Sequence, residues 1–380
     1  MSYASVVGHR EMVFDGNRNH IYAEALRKII TPDSLVMDLG AGLGVHGFSA
    51  ASLGAKEVHL VEPAPVMLAA RKIAENNGLD GIYYHECRVE ELRLDKRFDI
   101  IVSVFTGNFL VTEDLLPSLF FARDKYLKPD GILLPDRACM EVVPVSAAKY
   151  YDSKVESWST AIDFAQANKI PEVDYSSVRS FASNTVFYDT VSEMKASPLA
   201  RPASLAEFDF NCASHANCDA QIKVSCDQDG TMHGWLGWFQ MRLQDSWLST
   251  DGEGLGTHWS QVFLPLEEPI EVKAGDVLNF SLKRPEFGEW TWTTQIGEQH
   301  QRQSTFLSQP LSHDRILKAS DSYKPTLSER GDAARWLLAR LNGKLSVIEL
   351  ASQLRVHYPQ LFVDHRQSVD FVKALMRRFN

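Results

Sequence analysis

Seven residues, Asp38-Leu39-Gly40-Ala41-Gly42-Leu43-Gly44, follow directly on the apolar run that begins at Leu35. Glycines at alternate positions after a short strand let the backbone turn tightly and approach a ligand closely, and the helix that follows presents its free N-terminal amides there. This combination constrains the first part of the chain more than any other feature. Two more apolar runs, at 58–62 and 98–104, alternate with helix-compatible stretches such as 65–77. The alternation predicts an α/β domain over residues 20–140, a parallel sheet covered on both faces.

From about Met140 the pattern changes to period two, for example at 206–210 and 221–225. Asp229-Gly230 reads as a hairpin turn before 234–243, and Ala274-Gly275-Asp276 as another between 270–272 and 277–282. An antiparallel β domain is expected, interrupted at 150–183 by an insertion with a helix-like 158–168. Gln299–Ser304 is polar and aperiodic and reads as the start of a linker. Helices return beyond 320: 333–341 is apolar on one face, Ser346-Val347-Ile348-Glu349 matches a capping box, and 368–379 completes a third helix. The domains expected are thus 1–139, 140–310 with the insertion 150–183, and 320–380.

The net charge of −10 is unevenly spread. Residues 318–380 hold 11 Lys+Arg and 6 Asp+Glu, a balance of +5, which leaves −15 for residues 1–317. An acidic body makes nucleic acid an unlikely ligand and suits a cationic partner. Cys212 and Cys218 flank His215, but the five cysteines contain no C-x-x-C pair and fit no zinc spacing, so neither a metal nor a disulfide framework is expected. No run of about 18 apolar residues exists, and the first residues lack the blocks of a secretion signal, which predicts a cytoplasmic protein with no membrane partner.

Two acids define the ligand of the glycine turn. Glu62 ends the second strand, where a carboxylate accepts both hydroxyls of a ribose. Asp38 precedes the glycines, where it would repel a pyrophosphate but suit the ammonium and sulfonium of S-adenosylmethionine. Beyond the glycines the match becomes specific. His9-Arg10-Glu11-Met12, with Asp15 and Arg18, resembles the H-E-E-M-L-x-D-x-x-R helix of the protein arginine methyltransferase family. The segments Ala122-Arg123-Asp124-Lys125-Tyr126-Leu127-Lys128-Pro129, Pro135-Asp136-Arg137-Ala138 and Thr257-His258-Trp259 resemble further motifs of that family, and the likeness runs from residue 1 to about 310. It implies a Rossmann-like domain followed by a β-barrel domain whose insertion is a dimerisation arm, hence a homodimer. By the same resemblance Gly40, Gly42, Gly44, Asp38 and Glu62 bind the cofactor, Arg18 pairs with its carboxylate, Met12 contacts its sulfur end, and Glu90 binds its adenine amino group.

The acceptor side departs from the family. Its loop S-E-W-M-G-Y…Y-E-S-M-L holds a guanidinium between two glutamates; this chain keeps the second as Glu113, but the first is Val104. Phe105, Thr106, Asn108 and Thr112 replace Trp, Met, Tyr and Tyr in the same pocket, to which Trp259 is also assigned. A guanidinium is a planar cation whose five donors suit two carboxylates, so the loss of one removes a charge-assisted pair worth about 1.5–3 kcal/mol. Glu113 and His258 are the candidate bases, with Asp15 orienting His258. Gly331 to Phe379 resembles the PqqD-like peptide-binding fold (a RiPP recognition element), in which a leader peptide adds a strand beside the helices. Together these features imply methyl transfer to a nitrogen of a peptide or protein side chain; a ribosomal precursor peptide bound by the C-terminal module is one such acceptor, and a winged-helix DNA reader or a stabilising cap are the other readings of that module. The alternatives are a small-molecule N- or O-methyltransferase and a catalytically silent S-adenosylmethionine-binding protein.

Overall fold

Five parallel strands make the first layer of the computed structural model, which describes residues 5–252 and 256–379. They are β1 (Leu35–Leu39), β2 (Glu57–Val61), β3 (Ile82–His85), β4 (Phe98–Ser103) and β5 (Leu127–Leu134), in the order β3-β2-β1-β4-β5. The order reverses beside β1, and in such sheets the crevice at the strand ends next to the reversal is where ligands bind. Val36, Met37 and Leu39 are buried because helices cover both faces, which explains the near-continuous apolar strands. The first four residues, on which part of the secretion-signal reading falls, lie outside the described set.

The remaining strands are antiparallel and form two further sheets. They are β6 (Arg137–Ser146), β7 (Phe187–Asp189), β8 (Ser197–Pro198), β9 (Ala203–Asp209), β10 (Cys218–Ser225), β11 (Gly230–Leu243), β12 (Ser246–Ser249), β13 (Gln261–Val272), β14 (Val277–Arg284), β15 (Thr291–Ile296) and β16 (Gln299–Ser304). One sheet runs β7-β13-β11-β6-β8, with β12 on β11 and β9 on β6, and the other runs β10-β14-β15-β16. Trp235, Phe280 and Trp292 are buried and belong to the same continuous apolar cluster as Val36 and Met37 of the parallel sheet.

Three readings of the sequence need correcting here. Asp229-Gly230 does not close a hairpin: β10 pairs with β14, whereas β11 pairs with β13 and β6. The turn at 274–276 likewise joins strands of different sheets. Both are corners, and they support each other: Gly275 N donates to Cys226 O at 2.8 Å and Ala274 N to Asp229 Oδ1 at 2.9 Å. Turn chemistry marks where the chain bends, while the choice of partner strand depends on burial far away in sequence. Third, Gln299–Ser304 is no linker but the edge strand β16, paired along its length with β15 through a turn at Gly297. An edge strand with one neighbour can keep polar side chains on its free side.

The insertion carries a short 3-10 turn (Glu156–Trp158) and a helix (Ala161–Asn168) rather than one helix from 158. After Pro310 the chain forms a second compact unit. Its helices Glu329–Leu338, Val347–His357 and His365–Phe379 bury Ala333, Leu337, Leu350, Leu354, Phe362 and Val372, and Ser346 with Glu349 forms the capping box. Among its described residues there is no strand, so the unit has no sheet edge of its own to which a peptide could add.

Candidate active site

The glycine turn is held open by acids and closed by rings. Gly40, Gly42 and Gly44 have φ of 71°, 53° and 85°, the left-handed region that side chains avoid. At Gly40 an added Cβ would also fall 2.1 Å from the Phe105 ring. Glu62, at the end of β2, accepts from Gly42 N at 3.1 Å and Ala64 N at 2.8 Å, so one buried carboxylate spans the turn. Asp38 is buried beneath it and accepts from Gly47 N at 2.7 Å. Burial pushes the Asp38 carboxyl up to about 7; the Gly47 amide opposes this, Glu62 reinforces it and Arg18 opposes it.

The helix Gly16–Ile29 brings a cation to the same place. Asp15 caps it, accepting from Arg18 N at 2.9 Å, and its other oxygen accepts from His258 N at 2.9 Å and pairs with His258 Nδ1 at 2.7 Å. Burial alone would raise this carboxyl, but the hydrogen bonds from the His258 ring, its amide and the Arg18 amide hold it below the usual carboxylate range. Arg18 is buried, and its guanidinium donates to the Met12 carbonyl at 2.5 Å and to Asn19 Oδ1. These acceptors are neutral, and no ion pair is formed by Arg18 among the described residues. A buried cation without a carboxylate beside a buried acid fits an amino-acid zwitterion, the tail of S-adenosylmethionine. Glu90 lies apart from this group: it is exposed and accepts from Ser118 Oγ at 2.6 Å.

The 103–114 loop is fastened to the N-terminal helix and to the 257–260 segment. Tyr22 OH donates to Ser103 O at 2.9 Å, Trp259 Nε1 to Thr106 O at 3.1 Å, and Ser260 N to Asn108 Oδ1 at 3.0 Å. Phe109 N donates to Thr112 Oγ1 at 3.2 Å, and His258 lies over Trp259 with ring centroids 4.2 Å apart. Val104 and Phe105 pack against the apolar core. Ser103 Oγ, Thr106 Oγ1 and His46 Nε2 are buried here without a protein partner, and His46 stacks on Tyr22. Glu113 is exposed, with its Cγ 3.0 Å from where a Cβ on Gly107 would stand.

Several residues of the site escaped the sequence reading. Tyr188, on β7, hydrogen-bonds Thr112 and lies close enough to feel the charge of Glu113; burial raises its phenol while the Thr112 bond and Arg284 oppose. Asp114 takes Arg284 in a two-pronged pair at 2.5 and 2.6 Å and also accepts from Phe287 N at 2.8 Å. An Asp beside Glu113 was the only local signal, and Arg284 lies 170 residues away.

A model described as a methyltransferase domain matches residues 36–131, and one described as the arginine methyltransferase oligomerization subdomain matches 136–289. The chain is 30% identical over 283 residues to protein arginine N-methyltransferase 6 of Xenopus laevis, covering 71% of this chain and 81% of that protein. It is 29% identical over 299 residues to protein arginine N-methyltransferase 2 of Xenopus tropicalis, of which it spans 66%, just under two thirds. The solved Trypanosoma brucei PRMT1 enzyme-prozyme heterotetrameric complex with AdoHcy superposes with a TM-score of 0.71 at 26% identity, covering 80% of this chain and 99% of that one. A parallel sheet with its glycine turn, joined to an antiparallel domain, defines a methyltransferase that uses S-adenosylmethionine. Within that class the chain belongs to the protein arginine N-methyltransferase family.

Two outcomes are expected. First, a cation arriving beside Asp38 favours its ionised form, so S-adenosylmethionine binding should release a proton at about pH 6–7 and progressively less above it. Calorimetry in buffers of different ionisation heat checks this; equal apparent enthalpies would contradict it. Second, Asp15→Asn keeps a helix cap but loses the charge toward His258, and should cost about 1–2 kcal/mol. Because the Asp15 pKa is depressed on folding, this cost is full above the ordinary aspartate range and shrinks as pH falls through the lower folded value. Denaturant melts at several pH values check the sign.

Proposed function

We propose that the protein transfers the S-adenosylmethionine methyl group to a side-chain nitrogen of a peptide or protein. Residues 1–139 would form the cofactor domain, 140–310 the acceptor domain, and 320–380 a recognition module. Arg18 would hold the cofactor carboxylate, Asp38 its ammonium, Glu62 the ribose hydroxyls and Glu90 the adenine amino group. Met12 would face the sulfur, and the backbone at Gly40, Gly42 and Gly44 would allow the close approach. The cofactor supplies a methyl group already activated on a sulfonium; what remains for the protein is to place the acceptor nitrogen and remove its proton. Glu113 and His258 are the proposed bases. Asp15 fixes the His258 ring through Nδ1, which leaves Nε2 for the acceptor side.

The observation that supports the reading is the 103–114 loop, in which the apolar Val104 packs on the core, Glu113 is exposed and the neighbouring Asp114 is engaged by Arg284. Family membership makes arginine the first acceptor to test. The missing carboxylate favours instead a neutral nitrogen that must lose one proton, such as an amide, imidazole or indole. The 150–183 segment is proposed as a dimerisation arm: Trp158, Phe164, Ile170 and Tyr175 are exposed on it, an apolar surface that suits burial in a homodimer. The C-terminal unit, which resembles the PqqD-like fold in sequence, would recognise a peptide through its helix faces, where Ile348 and Val356 are exposed.

Glu113→Gln keeps the shape and removes the base, and should lower kcat about 10²-fold or more. Val104→Glu places a second, partly desolvated acid beside the first and should impair a neutral acceptor. Steady-state kinetics on peptides carrying arginine, histidine or asparagine check both. Fast arginine methylation by the unaltered protein would show that one glutamate suffices and would overturn the neutral-acceptor reading.

A further inference from the structure

The turn between β14 and β15 is built in an unusual way. Phe287 has φ +56°, a left-handed backbone that an aromatic residue rarely adopts and that glycine adopts without strain. Its ring gains no burial in return, being 74% exposed. The turn is nonetheless firmly anchored. Gly288 N donates to Pro285 O at 3.0 Å, Glu286 N to Asn217 Oδ1 at 2.7 Å, and Phe287 N to Asp114 Oδ1 at 2.8 Å.

The anchor leads straight to the acceptor loop. Asp114 follows Glu113 in the chain and is itself left-handed, at φ +54°. Its carboxylate is gripped by Arg284, whose side chain is buried and lies over Trp290, and Trp290 stacks on Phe109 of the same loop at 5.6 Å. Burial alone would raise Asp114, but the Arg284 and Phe287 hydrogen bonds hold it ionised below the usual range. The backbone of the turn that carries Phe287 is therefore tied, through the Asp114 carboxylate, to the residue next to Glu113, and it belongs to a body carrying −15 over residues 1–317.

We propose that the turn at 285–288 is an acceptor subsite, in which the Phe287 ring receives a lysine or arginine side chain neighbouring the residue to be methylated. An exposed aromatic face on an acidic body attracts a cation by its quadrupole and by the net charge together. The apolar stem of a basic side chain covers the ring that the fold leaves bare. Arg284 and Asp114 are positioning residues, which set the distance between this subsite and Glu113. The inference rests on the polypeptide acceptor proposed above.

The test uses the full chain and pairs of peptides, each with one arginine, histidine or asparagine flanked on both sides by either lysine or glycine. For the unaltered protein, kcat/KM should be about three- to tenfold higher with lysine flanks, mainly through KM, and the preference should weaken with salt. Phe287→Gly, which relaxes the turn, and Phe287→Asn, which also tolerates a left-handed backbone, should bring the ratio close to one, while Phe287→Trp should keep it. Thermal melts and S-adenosylhomocysteine affinity confirm that each variant is folded. A ratio near one in the unaltered protein, or a ratio that survives Phe287→Gly and Phe287→Asn, overturns the subsite and leaves the polypeptide reading standing. No methylation of any peptide overturns both.

Discussion

One carboxylate ties the active site together. Asp15 caps the helix that carries Arg18 and Tyr22, and its second oxygen takes both the amide and the ring of His258. The 257–260 loop so fixed then reaches the acceptor loop, through Trp259 on Thr106 and Ser260 on Asn108. Tyr22 closes the circuit by bonding Ser103 O. N-terminal helix, parallel sheet and antiparallel domain thus meet through a chain of hydrogen bonds with Asp15 at its centre. Loosening it would release His258 and the N-terminus of the helix that carries Arg18 together.

Charge is distributed around this point in a way that a folded protein alone does not require. Arg18 is buried on neutral acceptors, and Asp38 is buried with a pKa pushed to about 7. Either group is costly in a closed core, where buried ions are normally paired. A zwitterionic cofactor tail would satisfy both at once. The acceptor side shows the opposite economy of charge: Val104 packs on apolar neighbours, and Glu113 stands beside Thr112 and Tyr188. The residues that match the family's cofactor motifs are kept, whereas Val104 stands where the family's first acceptor-loop glutamate does.

Much of this was legible in the residues because it is local. Asp38 and Glu62 sit at fixed offsets from β1 and β2, and the capping box at Ser346 needs only four residues. Asp15 and His258 are 243 residues apart and were connected only through the motifs they share with a known family. What stayed hidden was non-local and without a motif. Arg284 meets Asp114 only because β14 and the acceptor loop are brought together by sheet packing. The turns at 229–230 and 274–276 were visible as turns, but not as corners between sheets, since that depends on which strands bury each other. Polar β16 gave no period at all and is ordered by its ladder with β15.

The proposed transfer of a methyl group to a polypeptide nitrogen depends on the Glu113 carboxylate. It is tested most directly by incubating the protein with methyl-labelled S-adenosylmethionine and peptide acceptors, then locating the label by tandem mass spectrometry. A single labelled methyl on a side-chain nitrogen is expected, lost when Glu113 is replaced by glutamine. Label found only on small molecules, or transfer to peptide that persists undiminished without the Glu113 carboxylate, would contradict it.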